Sequence, residues 1–291
     1  MSAMLSSPST ACVYRGSMVH SVAIGKVKML LDAAIVVDED GVIVAVHDMN
    51  DDGAEDTMAD LMAQGVELVD FRGKLIMPGF IDLHAHAPQY AFTGTGMDLQ
   101  LLQWLETHTF PVEAKFKDTS FARKVYQKAV RRHLTCGTTT CSYFATLHLE
   151  ATKVLVDVVR GLGQRAFVGK VSMDRNSPDY LRETTEDGMR DAEEFVKFVS
   201  EELDDPLITP VITPRFVPSC TPELMARLES YRKSTTCPCS RTCPSRRRRS
   251  RGSRSYTRIS TPTQACTSIT ASCTNDRTSP TASTAMWRRG P

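Results

Sequence analysis

Features that mark membrane-spanning and secreted proteins are missing from this chain of 291 residues. No apolar run reaches the ~18–20 residues that a membrane-spanning helix needs. Residues 1–15 contain no basic segment followed by an apolar one, so we expect no secretory signal. The nine cysteines therefore predict reduced thiols in a cytoplasmic protein rather than a framework of disulfides.

The last 59 residues lack almost everything from which a hydrophobic core is built. Residues 233–291 contain no Leu, Val, Phe or His, but 11 Ser, 12 Thr and 11 Arg. Twelve basic residues against one acidic residue give this tail a net charge of +11, whereas residues 1–232 carry −10. With so little apolar surface to bury, we expect residues 233–291 to form a low-complexity, disordered tail.

The first 75 residues predict a small β-domain. Short strands are predicted at 29–37, 42–46, 66–69 and 74–77. The turn cluster Asp38-Glu-Asp-Gly41 joins the first two of them as a hairpin. Residues 50–63 are polar and predict a loop with one helical turn. We therefore expect an N-terminal β-sandwich segment over residues 1–75.

Residues 76–232 predict alternating strands and helices. Strands are predicted at 80–85, 138–145, 165–173 and 208–216, and helices at 98–107, 119–135, 149–161, 185–203 and from 222 onwards. Thr185 is the predicted cap of the helix that runs to Leu203. Successive β–α units imply parallel strands with right-handed crossovers. This α/β pattern fits an open doubly wound sheet or the first half of an eight-stranded barrel.

The segment Pro78-Gly-Phe-Ile-Asp-Leu-His-Ala-His86 carries a chemical signal. Side chains alternate along a strand, so Asp82, His84 and His86 are predicted to share one face. Two imidazoles at the carboxyl end of a barrel strand are able to bind one Zn²⁺, and Asp82 is a candidate for orienting one of them. A lone H-x-H tripeptide arises often by chance, so the alternative is two strand histidines without a metal.

Five longer segments are more specific than this tripeptide. They are H-A-H-A-P-Q-Y at 84–90, D-L-x-L-L-x-W-L-E-x-H-T-F-P at 98–111, G-T-T-T-C-S-Y-F-A-T-L-H at 137–148, G-Q-R-A-F-V-G-K-V-S-M-D at 163–174 and I-T-P-R-F at 212–216. Through them, residues 10–232 resemble the guanine deaminases of the amidohydrolase superfamily. The resemblance implies an incomplete (β/α)8 TIM-like barrel of about four β–α units after the β-sandwich segment.

The resemblance implies a zinc hydrolase of purine catabolism that converts guanine to xanthine and ammonia. It also implies one Zn²⁺ per site and a homodimer, with no membrane or nucleic-acid partner. His84 and His86 match metal ligands, and the residues that match contacts to the purine are His86, Gln89, Arg215 and Phe216. The planar donor fork of Arg215 suits the carbonyl and ring nitrogen of a flat base. The alternatives are a structural ion pair for Arg215 and core packing for Phe216.

The resemblance stops near Lys233. Guanine deaminases of this kind use two later histidines, a glutamate that shuttles protons and a late aspartate, whereas His148 is the last histidine here. We therefore identify no catalytic acid or base, and we expect this polypeptide to be inactive. The alternative functions are another purine or pterin amidohydrolase, or a non-catalytic product whose basic tail mediates interactions.

We interpret the tail as translation in a shifted reading frame. Its composition changes abruptly in the middle of a predicted helix, as a frame change in GC-rich DNA produces. Two other interpretations are weaker. Cys237-Pro-Cys239 followed by Cys243 lacks the paired spacing of a zinc site. Arg246–Arg249 is a candidate patch for nucleic acid or nuclear import, although basic runs are common in disordered tails.

Overall fold

The structure, a computed structural model, describes residues 10–235 together with Cys237 and Pro238. Contacts divide the chain into two compact units, with the boundary between Phe80 and Ile81. Most of the predicted disordered tail, including Cys239, Cys243 and the Arg246–Arg249 patch, lies outside the described residues. No helix in the described part is long and apolar enough to cross a membrane.

The first unit is built on a four-stranded sheet. Its strands are β1 (Thr10–Ala23), β2 (Lys26–Asp38), β3 (Ile43–Asp48) and β4 (Glu67–Ile76). They are ordered β3-β2-β1-β4, with β1 antiparallel to β2 and parallel to β4. The two short strands predicted at 66–69 and 74–77 are thus one strand. Its pairing with β1 shifts register between Arg15 and Ser17.

The loop predicted at 50–63 is wrong, because a ten-residue helix, α1 (Ala54–Ala63), occupies most of it. The helix follows Gly53, whose φ of +78° suits a residue without a Cβ. Ala54 and Met58, four residues apart, pack into a core cluster with Val13, Ala34, Val36 and Met49. Acidic residues surround this short apolar stripe, so the sequence pattern did not predict a helix here.

The second unit contains a parallel sheet with helices between its strands, which confirms the α/β part of the predicted fold class. Its strands are β5 (Phe80–His86), β6 (Thr138–Phe144), β7 (Arg165–Gly169), β8 (Val171–Ser172), β9 (Ile208–Pro210) and β10 (Thr213–Pro214). The main sheet has the order β5-β6-β7-β9, and β6, β7 and β9 are parallel. β8 and β10 form a separate parallel pair, so the third and fourth predicted strands are each interrupted.

The helices of the second unit follow the predicted pattern with three corrections. They are α2 (Leu101–Trp104), α3 (Phe110–Ala114), α4 (Thr119–Thr135), α5 (Leu149–Leu162), α6 (Thr185–Lys197) and α7 (Pro222–Thr235). The first correction is that the helix predicted to run to Leu203 is α-helical only to Lys197 and π-helical over Phe198–Leu203. A π-helical turn, Leu105–Thr109, joins α2 to α3, so the helical segment predicted to end at 107 continues. The cap of α6 is Thr184 rather than Thr185, because the Thr184 hydroxyl accepts the N–H of Asp187 at 3.0 Å.

Candidate active site

Strand β5 places His84 and His86 beside the same aromatic ring. Their ring centroids are 5.1 Å apart, and the two ring planes meet at 69°. The ring of Phe144, at the end of β6, lies 4.6 Å from the His84 ring and 4.8 Å from the His86 ring. Because residues two apart on a strand point the same way, the predicted pairing of the two imidazoles is realised in the fold.

The surroundings of both imidazoles favour their neutral form. Desolvation lowers the pKa of His84, and burial lowers the pKa of His86 well below its ordinary value. The positive charge of Arg215 lowers the pKa of His86 further, and protonation of the neighbouring His84 ring would act in the same direction. Neutral imidazole is the form that binds a metal ion, so the electrostatics of these two rings suit ligation.

Asp82 makes its hydrogen bond with the strand backbone. Its Oδ1 accepts the N–H of His84 at 3.0 Å, and its negative charge raises the pKa of the His84 ring against the larger effect of desolvation. This hydrogen bond fixes the backbone between Asp82 and His84. Its predicted role in orienting an imidazole stays a prediction.

Arg215 follows β10 and is almost fully buried, with 2% of its surface exposed. Its Nη1 and Nη2 donate to Oε2 and Oε1 of Glu113 at 2.5 and 2.9 Å, which makes a bidentate ion pair. Its guanidinium carbon lies 5.6 Å from the centre of the Phe110 ring. The ion pair that the sequence offered as an alternative is therefore present. Whether Arg215 also contacts a purine stays a prediction.

One apolar cluster connects the histidines to Arg215. Its buried members are Leu105, Phe110, Phe144, Val171, Met173 and Leu181, and half-buried residues packed against it include Trp104 and Phe216. Phe144 contacts both imidazoles, and Phe110 contacts the guanidinium. The cluster therefore brings together His84, His86, Arg215 and Phe216.

Gln89 lies in a 3₁₀ turn, Ala87–Phe92, directly after β5 and is half-exposed. Its backbone carbonyl accepts the hydroxyl of Thr93 at 3.2 Å. Its side-chain amide makes no hydrogen bond with other residues of the described chain, so its predicted contact with a purine stays a prediction.

The two histidines fit part of a zinc site. Imidazoles that bind one tetrahedral Zn²⁺ through nitrogens at ~2.0–2.1 Å have ring centroids about 5 Å apart, close to the separation between these two rings. Among residues 10–235, 237 and 238, however, no group of three or more His, Cys, Asp or Glu side chains is placed to hold a metal. The described residues therefore include two candidate ligands, whereas a zinc site needs three or four.

Comparison with known proteins places this chain in a family. A family model described as the amidohydrolase family matches residues 75–233, which is more than half of the chain. The chain belongs to the amidohydrolase family. The matched segment of this amidohydrolase begins just before β5 and contains His84, His86, Glu113 and Arg215.

The similar proteins include guanine deaminases. The guanine deaminase of Dictyostelium discoideum is 47% identical over 232 residues, which are 77% of this chain and 51% of that relative. A guanine deaminase from C. acetobutylicum, solved with guanine bound in its active site, is 37% identical with a TM-score of 0.71. That alignment covers 79% of this chain and 52% of the other. This amidohydrolase chain thus spans about half the length of the relatives it matches.

A more distant solved structure shares the fold. An adenosine deaminase from Xanthomonas campestris, solved with bound zinc, is 23% identical with a TM-score of 0.61. The alignment covers 80% of this chain and 50% of that protein. At this level of identity the likeness concerns the fold alone.

Three residues of this region were not predicted from the sequence as site residues: Phe110, Glu113 and Phe144. A signal for Glu113 was present, because it shares a helical face with the buried residues Thr109, Phe110 and Phe116. An acidic residue on an apolar helix face requires a buried partner. The partner itself is not readable from this pattern, since Arg215 lies 102 residues away.

Proposed function

We propose that residues 76–232 form half of a guanine deaminase active site, within an incomplete (β/α)8 TIM-like barrel. In the same proposal, residues 1–75 are the N-terminal β-domain. The tail predicted from residue 233 is instead helical as far as Thr235, the last residue of α7, and most of its other residues lie outside the described part of the chain. The observation that carries the proposal is the placement of His84, His86 and Arg215 around one apolar cluster. The identity of 37% to a guanine deaminase solved with bound guanine supports the choice of substrate.

In this proposal His84 and His86 hold one Zn²⁺, and Arg215, Gln89 and Phe216 bind the purine. When bound, the metal supplies an activated water for attack on the ring carbon that carries the amino group. The guanidinium of Arg215 donates to the carbonyl and ring nitrogen of guanine, and the amide of Gln89 both donates and accepts. Phe216 packs on the apolar cluster, and in this proposal its ring contacts the purine.

The described residues do not complete the chemistry. No third ligand joins the two histidines among them, and the buried carboxylate nearest to the purine residues, Glu113, is already paired with Arg215. We therefore propose that a polypeptide of these 291 residues binds zinc weakly and does not deaminate guanine by itself. A cytoplasmic location and a homodimeric assembly are part of the same proposal.

Zinc binding to the purified 291-residue chain tests the assignment of the histidines. Equilibrium dialysis with Zn²⁺, read by elemental analysis, is expected to show weak binding that disappears in His84→Ala and in His86→Ala. His20→Ala, in β1 of the other unit, is the matched control and is expected to bind like the wild type. Equal binding by all four proteins would contradict the ligand assignment.

A guanine assay tests the predicted inactivity separately. The purified chain is incubated with Zn²⁺ and guanine, and xanthine is separated by chromatography. We expect no xanthine above the no-protein blank. Xanthine formation that is lost in His86→Ala would show that this polypeptide contains a complete site and would overturn this part of the proposal.

A further inference from the structure

The ion pair between Glu113 and Arg215 fixes the guanidinium from two directions. Glu113 lies on α3, and its side chain is 1% exposed, whereas that of Arg215 is 3% exposed. The carboxylate holds the edge of the guanidinium that bears the two Nη atoms, at 2.5 and 2.9 Å. The ring of Phe110 lies against the guanidinium at 5.6 Å. Few orientations of Arg215 satisfy both contacts at once.

The pair leaves donors available for another molecule. A guanidinium has five N–H groups, and a bidentate carboxylate accepts two of them, one from each Nη. The remaining three N–H groups of Arg215 point away from the shared edge. They match an acceptor pair such as the carbonyl oxygen O6 and the unprotonated ring nitrogen N7 of guanine.

We call the Arg215 guanidinium, with the groups that contact it, the Arg215 subsite. The ion pair with Glu113 removes the net charge of this subsite. A buried guanidinium without a counter-ion strongly attracts an anion, because the surroundings screen its charge poorly. With Glu113 attached, Arg215 offers hydrogen-bond donors without a net positive charge. Such a subsite suits a neutral purine carrying a carbonyl group and disfavours a purine that carries a negative charge.

We infer that Glu113 is a positioning residue that makes the Arg215 subsite selective for neutral oxopurines over anionic ones. This inference rests on the proposed function, since it assumes that Arg215 faces the purine. It adds a residue and a basis for ligand preference to that proposal.

Equilibrium dialysis of the full 291-residue chain at pH 7.5 tests the inference, with labelled guanine as the neutral probe and labelled urate as the anionic probe. In Glu113→Gln the dissociation constant for guanine is expected to rise roughly tenfold or more, because the guanidinium loses a charged hydrogen-bond partner. Urate binding is expected to strengthen, so the preference for guanine over urate falls by at least that factor. Glu106→Gln, an exposed change in the preceding helical turn, is the control and should keep the wild-type preference.

The outcomes separate this inference from the proposed function. If the wild-type chain binds no guanine, the proposed function fails and this inference fails with it. If the wild type binds guanine but Glu113→Gln weakens guanine and urate by the same factor, Glu113 has only a structural role and the inference alone is wrong.

A second variant keeps the test decisive if Glu113→Gln does not fold, which circular dichroism reveals. Glu113→Asp keeps the negative charge but shortens the side chain, so the ion pair loosens while the subsite stays neutral. Guanine binding is expected to weaken several-fold with no gain in urate binding. Tighter urate binding by Glu113→Asp would overturn the inference.

Discussion

Lys170 and Glu183 form an ion pair that is almost fully withdrawn from solvent, with 1% and 6% of their side chains exposed. Lys170 lies between β7 and β8, and Glu183 also accepts the N–H of Met173 at 3.0 Å. Gly188 in α6 provides the space, since a Cβ there would lie 2.8 Å from Oε1 of Glu183. The pair therefore ties the break between β7 and β8 to the residues just before α6.

Removal of one partner of this pair is expected to be costly. Lys170→Met leaves the Glu183 carboxylate buried without its cation, which we expect to lower the free energy of unfolding by about 3–5 kcal/mol. Urea denaturation followed by circular dichroism measures this change. In the double variant Lys170→Met/Glu183→Leu much of the loss should be recovered, because no buried charge remains.

The control for this experiment is Lys153→Met, which removes a partly exposed ion pair with Glu194. We expect that change to cost less than about 1 kcal/mol. A loss for Lys170→Met as small as that for Lys153→Met would mean that water reaches the Lys170–Glu183 pair.

Gly169 at the end of β7 is expected to tolerate no side chain. A Cβ there would overlap the side chain of Thr213 and lie 2.6 Å from the carbonyl oxygen of Val211. Gly169→Ala should lower the free energy of unfolding by about 1–3 kcal/mol, since the two backbones would have to separate. A Cβ added to Gly161 in α5 would have no other atom within 4 Å. Gly161→Ala should therefore leave the free energy of unfolding unchanged or raise it by up to about 1 kcal/mol. Thermal unfolding of the two variants side by side distinguishes them, and equal melting temperatures would refute the close approach.

Thr184 is expected to stabilise α6 through its hydroxyl. Thr184→Ala removes the acceptor for the N–H of Asp187, which should lower the free energy of unfolding by about 1 kcal/mol. Thr184→Ser keeps an acceptor at the cap and should retain most of the stability. Chemical denaturation of the three proteins provides the comparison. If Thr184→Ser loses as much stability as Thr184→Ala, the methyl group of Thr184 rather than its hydrogen bond stabilises α6.

The unfolding free energy is expected to fall as the pH is lowered from about 7.5 to 5.5. Desolvation together with Lys117 and Lys170 lowers the pKa of His148, and burial lowers the pKa of His86 well below its ordinary value. The unfolded chain therefore takes up protons near the ordinary pKa of 6.5, where the folded chain does not. Each such histidine contributes a slope of at most about 1.4 kcal/mol per pH unit.

His148→Asn checks the origin of this pH dependence. Urea denaturation at a series of pH values should show a shallower slope below pH 6.5 for the variant, and parallel curves above pH 8. A slope that is unchanged by the substitution would assign the pH dependence to other groups.

Much of the second unit was predictable because its signals are local. β-Branched and aromatic runs predicted β6, and the helix predicted at 119–135 has the same bounds as α4. Alternation along β5 predicted that His84 and His86 face the same way. The strand breaks at Lys170 and at Val211-Ile212 were missed, because β-branched residues lie close to both breaks and predict a continuous strand.

Local patterns alone determined the class of fold, the position of the paired histidines and the resemblance to amidohydrolases, because strand alternation and helix periodicity act over a few neighbouring residues. Only the tertiary structure decided that Arg215 is paired with Glu113, 102 residues earlier, and that Phe144 contacts both imidazoles. The reason is physical: a buried charge requires a partner, but chain folding selects which one, and no local pattern encodes a contact between distant segments.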